Sequence, residues 1–158
     1  MASASRLLLY DYWRSSACYR VRIALNLKGL AYAQQPVHLV RAGGEQHASA
    51  YCAVNPQQVV PTLVDGQRII RQSLAIIEYL EESRPESLAL LPVGARDRAH
   101  VRSLALLVAC DIHPLNNLRV MQHLERTFDA DEDARTAWMR HWMDAGFRAF
   151  EEILVADS

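Results

Sequence analysis

With 158 residues and 51% hydrophobic content, the chain is long enough for one or two compact domains with a real core. Its 17 basic and 18 acidic side chains nearly cancel, which leaves no charged field suited to nucleic acid or an anionic membrane surface. Three cysteines, odd in number and widely spaced (Cys18, Cys52, Cys110), argue against a disulfide framework or a metal site.

From the short polar start, Met1 to Ser5, no signal peptide is expected, and no apolar run approaches the ~20 residues of a membrane span. A soluble, cytoplasmic protein is the expectation. Leu7-Leu8-Leu9-Tyr10 reads as a buried strand. After the polar turn Arg14-Ser15-Ser16 comes a helix with apolar positions Ala17, Val21, Ala24 and Leu25, stopped by Lys28-Gly29. Lys28 is the sole lysine among the basic residues. A second strand is expected within Tyr32 to Leu39, a loop at Arg41-Ala42-Gly43-Gly44, and a short helix between Glu45 and Cys52. Val59 to Val64 reads as a strand, Asp65-Gly66 as a hairpin turn, and Gln67 to Ile70 as the returning strand. Ser73 is placed as the cap of a helix with Leu74, Ile77, Tyr79 and Leu80 on its apolar face.

The resulting order, β-α-β-α-β-β-α, is an α/β arrangement of thioredoxin-like type. Residues 1–83 are taken as this domain and 84–96 as a linker carrying Arg84-Pro85-Glu86 and Leu91-Pro92-Val93-Gly94. Residues 97–158 form an all-helical domain with helices at Asp97 to Cys110, through Asn117 to Phe128, and Asp131 to Val155. The last helix carries Trp138, Trp142, Phe147, Phe150 and Leu154, apolar positions that need a partner.

Three spots carry chemistry as well as structure. Pro61 cannot donate to a sheet ladder, so Val60-Pro61 marks either an ordinary strand start or a cis bond that turns the Val60 backbone outward toward an extended peptide. Gln72-Ser73, at a strand-to-helix junction, is either a plain cap or an anion site built from helix N–H groups and a hydroxyl. Ser15 or Ser16, at the mouth of the first helix, is either a cap or a donor that lowers the pKa of a neighbouring thiol.

Longer stretches around these spots are more specific. Residues 10–25, reading Tyr-Asp-Tyr-Trp-Arg-Ser-Ser-Ala-Cys-Tyr-Arg-Val-Arg-Ile-Ala-Leu, resemble the opening signature of zeta-class glutathione transferases. Residues 55–63, 72–80 and 111–117 (Asp-Ile-His-Pro-Leu-Asn-Asn) are similar to the same class. The likeness runs from about Leu7 to Leu154. The class includes maleylacetoacetate isomerase of tyrosine and phenylalanine catabolism and the bacterial maleylpyruvate isomerases. The resemblance therefore implies an enzyme with the glutathione transferase fold, whose helical domain in the family continues beyond the end of this chain.

The implied activity is glutathione-dependent cis–trans isomerisation of maleylacetoacetate to fumarylacetoacetate by reversible thiolate addition. Maleylpyruvate isomerisation, or a non-catalytic binding protein of transferase fold, stands as the alternative. A glutaredoxin-like redox enzyme would need a reactive cysteine where this chain has Ser15, and no Cys-x-x-Cys is present. By resemblance, Ser15 contacts the glutathione sulfur with Ser16 beside it. Val60, before Pro61, pairs its backbone with the cysteinyl unit. Gln72 and Ser73 hold the γ-glutamyl end, Gln46 and His38 reach the glycyl end, and His113 and Asn117 close the site. Arg14 and Arg119 are the candidates for the carboxylates of a small dicarboxylate substrate, since a guanidinium clamps a carboxylate in bidentate fashion. A homodimer is expected from the class.

One departure stands out. Many zeta enzymes read Ser-Ser-Cys-Ser here, whereas this chain reads Ser15-Ser16-Ala17-Cys18. The cysteine is moved one residue, about 100° round a helix, and is expected to face the core, as are Cys52 and Cys110.

Overall fold

The computed structural model describes residues 7–156; the expectation for Met1 to Ser5 lies outside the described residues. The chain divides into two compact units, residues 1–91 and 92–158.

In the first unit β1 (Leu7–Asp11) buries Leu7 and Leu9 on one face, the period-two alternation of a strand. Helix α1 (Ser16–Leu27) starts where the Ser15 side chain accepts the Cys18 N–H at 3.2 Å, satisfying one of the orphan donors of the first turn. Its buried stripe is Ala17, Cys18, Val21, Ala24 and Leu25. It stops at Lys28, because Gly29 takes a φ of +64 that an L side chain disfavours. Strand β2 (Tyr32–Pro36) runs parallel to β1. Two single 3-10 turns at Arg41–Gly43 and Glu45–His47 precede the short helix α2 (Ser49–Val54), so the helix expected between Glu45 and Cys52 is split and displaced.

Strands β3 (Thr62–Asp65) and β4 (Arg68–Arg71) form the antiparallel hairpin signalled by Asp65-Gly66, and β3 pairs antiparallel with β1. The strand expected from Val59 begins only at Thr62, after the proline that has no N–H for the ladder. Helix α3 (Ser73–Ser83) closes the unit. The four-stranded sheet, in order β2-β1-β3-β4, is of thioredoxin-like type. Leu7, Leu9, Val21, Leu25, Leu63, Ile76 and Leu80 fill the space between sheet and helices, and Tyr12, Cys18, Val37, Tyr51 and Val60 form a second cluster.

Two carboxylates, the half-buried Glu81 and the buried Asp65, tie the end of the unit down. The Lys28 ammonium donates to Glu81 (2.7 Å) and to the Leu88 carbonyl (2.8 Å), while Glu81 accepts the Leu90 and Leu91 N–H groups. Burial alone would raise the Glu81 pKa, but the Lys28 bond and the two amides outweigh it and hold the carboxyl below its ordinary value. Asp65 accepts the Tyr79 hydroxyl and the Arg84 guanidinium.

The second unit contains α4 (Ala95–Leu106), a wide π-type turn at Leu107–Ile112, a 3-10 turn at Pro114–Asn116, α5 (Leu118–Phe128) and α6 (Glu132–Ala156). The helix expected to reach Cys110 therefore ends its α geometry at Leu106. Ile112 is the one buried hydrophobic side chain of this unit among the described residues. It lies so close to Gly146 that a Cβ there would collide with it. Trp138 Nε1 donates to the Leu115 carbonyl at 2.8 Å. Phe147 and Leu154 remain exposed, and so does Cys110, against the expectation of a core position. A unit with so little buried apolar surface has no interior to receive the cysteine.

Candidate functional site

The register of the sheet brings the sequence-marked residues of the first unit to one end. Tyr10 of β1 lies opposite Thr62 of β3, and Thr62 lies opposite Arg71 of β4. The loop after β1 (Tyr12 to Ser15), the segment Val60-Pro61 before β3, and Gln72-Ser73 after β4 therefore leave the sheet side by side. Asp11 pairs with Pro36 and its carbonyl accepts the Val37 N–H, which adds His38 to the same end.

Ser15 sits half-buried at the head of α1. Its Oγ accepts from the Cys18 N–H, so the hydroxyl proton is left as a donor. Ser16 and Arg14 are exposed beside it, with the Arg14 guanidinium 5.6 Å from the centre of the Trp13 ring. The Val60–Pro61 bond is cis. The preceding Val59 carbonyl is gripped by the Tyr51 hydroxyl (2.7 Å) and the Asn55 amide (2.8 Å), and both also contact the Thr62 hydroxyl. Burial pushes the Tyr51 phenol up, so it stays a neutral donor. Among the described residues nothing bonds the Val60 N–H or carbonyl.

Gln72, not Ser73, is the cap of α3, and Ser73 is the first helical residue. Gln72 has φ +70, a region that costs a side-chain-bearing residue energy. Its side chain makes no capping bond and donates instead to the side-chain Oε1 of Gln57 at 2.8 Å. Among the described residues, the first N–H groups of this 11-residue helix thus have no side-chain cap at the sheet end.

His38 packs edge-on to Tyr12 (5.0 Å between ring centres), and its Nδ1 accepts the Val40 and Arg41 N–H groups. The Glu45 carboxylate accepts the His38 N–H and the Arg41 guanidinium. Those two donors, the backbone one foremost, hold its pKa below the ordinary value. Gln46 is buried: its amide donates to the Leu39 carbonyl at 3.2 Å, while its Oε1 has no partner among the described residues.

His113, Asn117 and Arg119 belong to the second unit. His113 closes the π-type turn, its N–H donating to the Val108 carbonyl. Asn117 caps α5 by accepting the Arg119 N–H at 3.1 Å, and Arg119 is exposed.

Cys18 is fully buried, and its thiol is pushed up to about 12. Burial dominates, partly offset by hydrogen bonds from Ser15 and the Tyr12 backbone. A thiol in that state is no nucleophile at neutral pH. Among the described residues no group of His, Cys, Asp or Glu is arranged to hold a metal ion. No helix among them is long and apolar enough to cross a membrane.

A family profile, glutathione S-transferase N-terminal domain, matches residues 9–88. Maleylacetoacetate isomerase of Pseudomonas aeruginosa is 50% identical over 92% of this chain and 68% of its own length. The holo structure of a maleylpyruvate isomerase, a bacterial zeta-class glutathione S-transferase, superposes with a TM-score of 0.90 at 50% identity, over 95% of this chain and 69% of that one. The chain belongs to the zeta class of the glutathione S-transferases. Another relative, maleylacetoacetate isomerase of Methylobacterium extorquens AM1, was solved with malonate and glutathione; it is 43% identical with a TM-score of 0.85, over 90% of this chain and 65% of that one. The chain thus spans about two thirds of the length of these relatives.

Some residues that shape this end of the sheet carry no local signal. Tyr51 and Asn55, which fix the Val59 carbonyl, read as part of a short helix and a turn. Asp11 and Arg22, whose side chains meet at 2.6 Å beneath the Ser15 loop, read as a strand end and a helix surface. A buried-looking Asn before Pro56, and a charge ending an apolar strand, are the signals available for them.

Proposed function

We propose that this chain catalyses the glutathione-dependent cis–trans isomerisation of maleylacetoacetate to fumarylacetoacetate, in tyrosine and phenylalanine catabolism. The observation that carries the reading is the convergence, at one sheet end, of a half-buried hydroxyl at the head of α1, a Val60 backbone without a partner among the described residues and a helix start without a side-chain cap. These are the donor types that a γ-glutamyl tripeptide thiol requires: anion-binding N–H groups, a β-type pairing edge and a thiolate partner. When bound, glutathione supplies a thiolate that adds reversibly to a conjugated cis double bond and leaves after rotation.

The protein's part is to orient and to stabilise charge. Ser15 donates its hydroxyl proton toward the sulfur, and the positive end of α1 favours the anionic form. Val60 pairs its backbone with the cysteinyl unit. The N–H groups at the start of α3, with Gln72 and Ser73, hold the γ-glutamyl carboxylate. Gln46 and His38 serve the glycyl end, with the Gln46 amide turning from Leu39 to do so. Arg14 receives a substrate carboxylate. In this reading His113 and Asn117 are further glutathione contacts, and Arg119 is a second arginine for a substrate carboxylate. A cytoplasmic homodimer, with the thioredoxin-like domain at residues 1–83 and the helices from 97 onward, goes with this reading.

Maleylpyruvate is the second candidate substrate, favoured by the likeness to the maleylpyruvate isomerase structure of TM-score 0.90. The test is direct. Purified protein is incubated with each cis diacid, with and without glutathione, and the trans product is followed. Turnover of the maleylacetoacetate substrate that requires glutathione and is lost in Ser15→Ala is the expected result. No turnover of either substrate by folded protein refutes isomerase activity and leaves the non-catalytic alternative.

A further inference from the structure

We infer that Arg22 is a positioning residue for the thiolate-binding loop: by bridging the buried Asp11 carboxylate to the Trp13 carbonyl, it fixes the peptide that aims Arg14 and Ser15. This rests on the reading of Ser15 as the thiolate partner and goes beyond it, because Arg22 touches neither ligand in that scheme.

The loop between β1 and α1 has little packing to hold it. Tyr12 before it and Ala17 after it are buried, but Trp13 is 71% exposed, and Arg14 and Ser16 are exposed as well. What holds its shape is hydrogen bonding. Ser15 N–H donates to the Tyr12 carbonyl at 2.9 Å, and Ser15 Oγ accepts the Cys18 N–H. These two bonds fix the ends of the turn and leave the peptide between Trp13 and Arg14 unaddressed.

Arg22 addresses it. One of its terminal nitrogens, Nη1, lies 2.6 and 2.7 Å from the two Asp11 oxygens, and the other, Nη2, donates to the Trp13 carbonyl at 3.4 Å. Its guanidinium also lies 5.4 Å from the centre of the Tyr19 ring. The plate is therefore fixed in its plane by Asp11 and on its face by Tyr19, and Gln34 adds a 3.5 Å contact to the same carboxylate. Both charged side chains are shielded, with 17% and 10% exposure. A salt bridge this buried is weak evidence for stability. Its geometry, anchored on the last residue of β1 and reaching the loop from one turn beyond Cys18, suits alignment instead.

A lysine cannot repeat this. Its single ammonium can reach Asp11 but lacks the planar fork that serves carboxylate and carbonyl together and stacks on Tyr19. The pair also has an electrostatic consequence: an unpaired Asp11 carboxylate below the loop would oppose a second anion above it. The ionisable groups around the loop are Asp11, Tyr12, Arg14, Cys18, Tyr19 and Arg22, with His38 against Tyr12 from the segment after β2.

The test compares Arg22→Lys, Arg22→Gln and Ser15→Ala by the thiol pKa of bound glutathione, titrated through thiolate absorbance, beside the glutathione Kd and the thermal unfolding of each variant. Arg22→Lys is expected to raise the bound thiol pKa by about half to one unit, the scale of one hydrogen bond, with the Kd changed less than about threefold. Arg22→Gln is expected to raise it further, because Asp11 loses its counter-charge. A purely structural role would lower the unfolding temperature and leave the thiol pKa in place. If Ser15→Ala raises the pKa and folded Arg22→Lys does not, the inference about Arg22 is wrong and the functional reading stands. If Ser15→Ala leaves it unmoved, both fall. Should the Arg22 variants not fold, the unmodified protein decides: restricted rotation of the Arg22 guanidinium in nuclear magnetic resonance supports the bridge, and free rotation overturns it.

Discussion

Replacing Lys28 by Met removes the ammonium that links α1, α3 and the segment leading out of the first unit, while keeping the length of the side chain. The structure sets the scale. Lys28 is 1% exposed at its side chain and makes two short bonds, to Glu81 and to the Leu88 carbonyl. After the change the Leu88 carbonyl loses its partner, at about 1–3 kcal/mol, while Glu81 keeps two backbone N–H donors. Buried Met contacts return part of this, so the expected loss is about 2 kcal/mol. Glu81→Gln should cost more, about 3–5 kcal/mol, because it leaves a buried ammonium without a counter-ion. Urea unfolding gives the totals, and hydrogen exchange at Leu90 and Leu91 reports the local release in Glu81→Gln. The sign with pH follows from the lowered Glu81 pKa. Its contribution is fully present above the ordinary carboxylate value of 4.5 and is lost as pH falls through the lower folded value. If Lys28→Met changed stability by less than about 0.5 kcal/mol, or Glu81→Gln proved the milder change, the desolvation argument would be refuted.

Further outcomes follow from the same geometry. Ser15→Gly and Ser15→Ala separate the cap from the chemistry: glycine should cost a few tenths of a kcal/mol in stability and alanine about 1 kcal/mol. Both should raise the bound thiol pKa by about 1–2 units, the worth of a hydrogen bond to a charged group, as read by thiolate titration. Alkylation followed by mass spectrometry should label Cys110 quickly, Cys52 more slowly and Cys18 only on unfolding; rapid labelling of Cys18 in folded protein would contradict its burial. Leu63→Ala, at a fully buried site on β3, should cost about 2–5 kcal/mol in urea unfolding.

Local patterns carried the first unit well. Leu7 to Tyr10, the Lys28-Gly29 stop and the Asp65-Gly66 turn each act within a few residues, so residue order alone reveals them. The head of α1 was legible for the same reason, since Ser15 caps a helix that begins beside it. Gln72 was legible as part of the α3 junction, and its left-handed backbone was not, because no glycine marks the position. Long-range pairs were invisible. Lys28 and Glu81 lie 53 residues apart, and Asp11 meets Arg22 only once α1 has packed on the sheet. The misplaced Cys110 has a similar origin. A residue in an apolar run, Leu104 to Cys110, reads as core wherever a core exists, and the second unit by itself buries almost nothing there.

The two sides of Ser15 make a physical contrast that bears on the chemistry. Inward lies Cys18, one position from where the class places its cysteine, and there burial overrides the Ser15 hydrogen bond and keeps the thiol protonated. A hydroxyl donor and a helix N-terminus are therefore not sufficient to make a thiolate; the desolvation cost must also be small. The other side of the same hydroxyl is half exposed, bordered by the exposed Arg14 and Ser16. There the donor and the helix field act without a burial penalty of that size. A thiol brought in from solvent meets the favourable half of this arrangement and the protein's own thiol meets the unfavourable half, so the nucleophile has to be carried by the ligand.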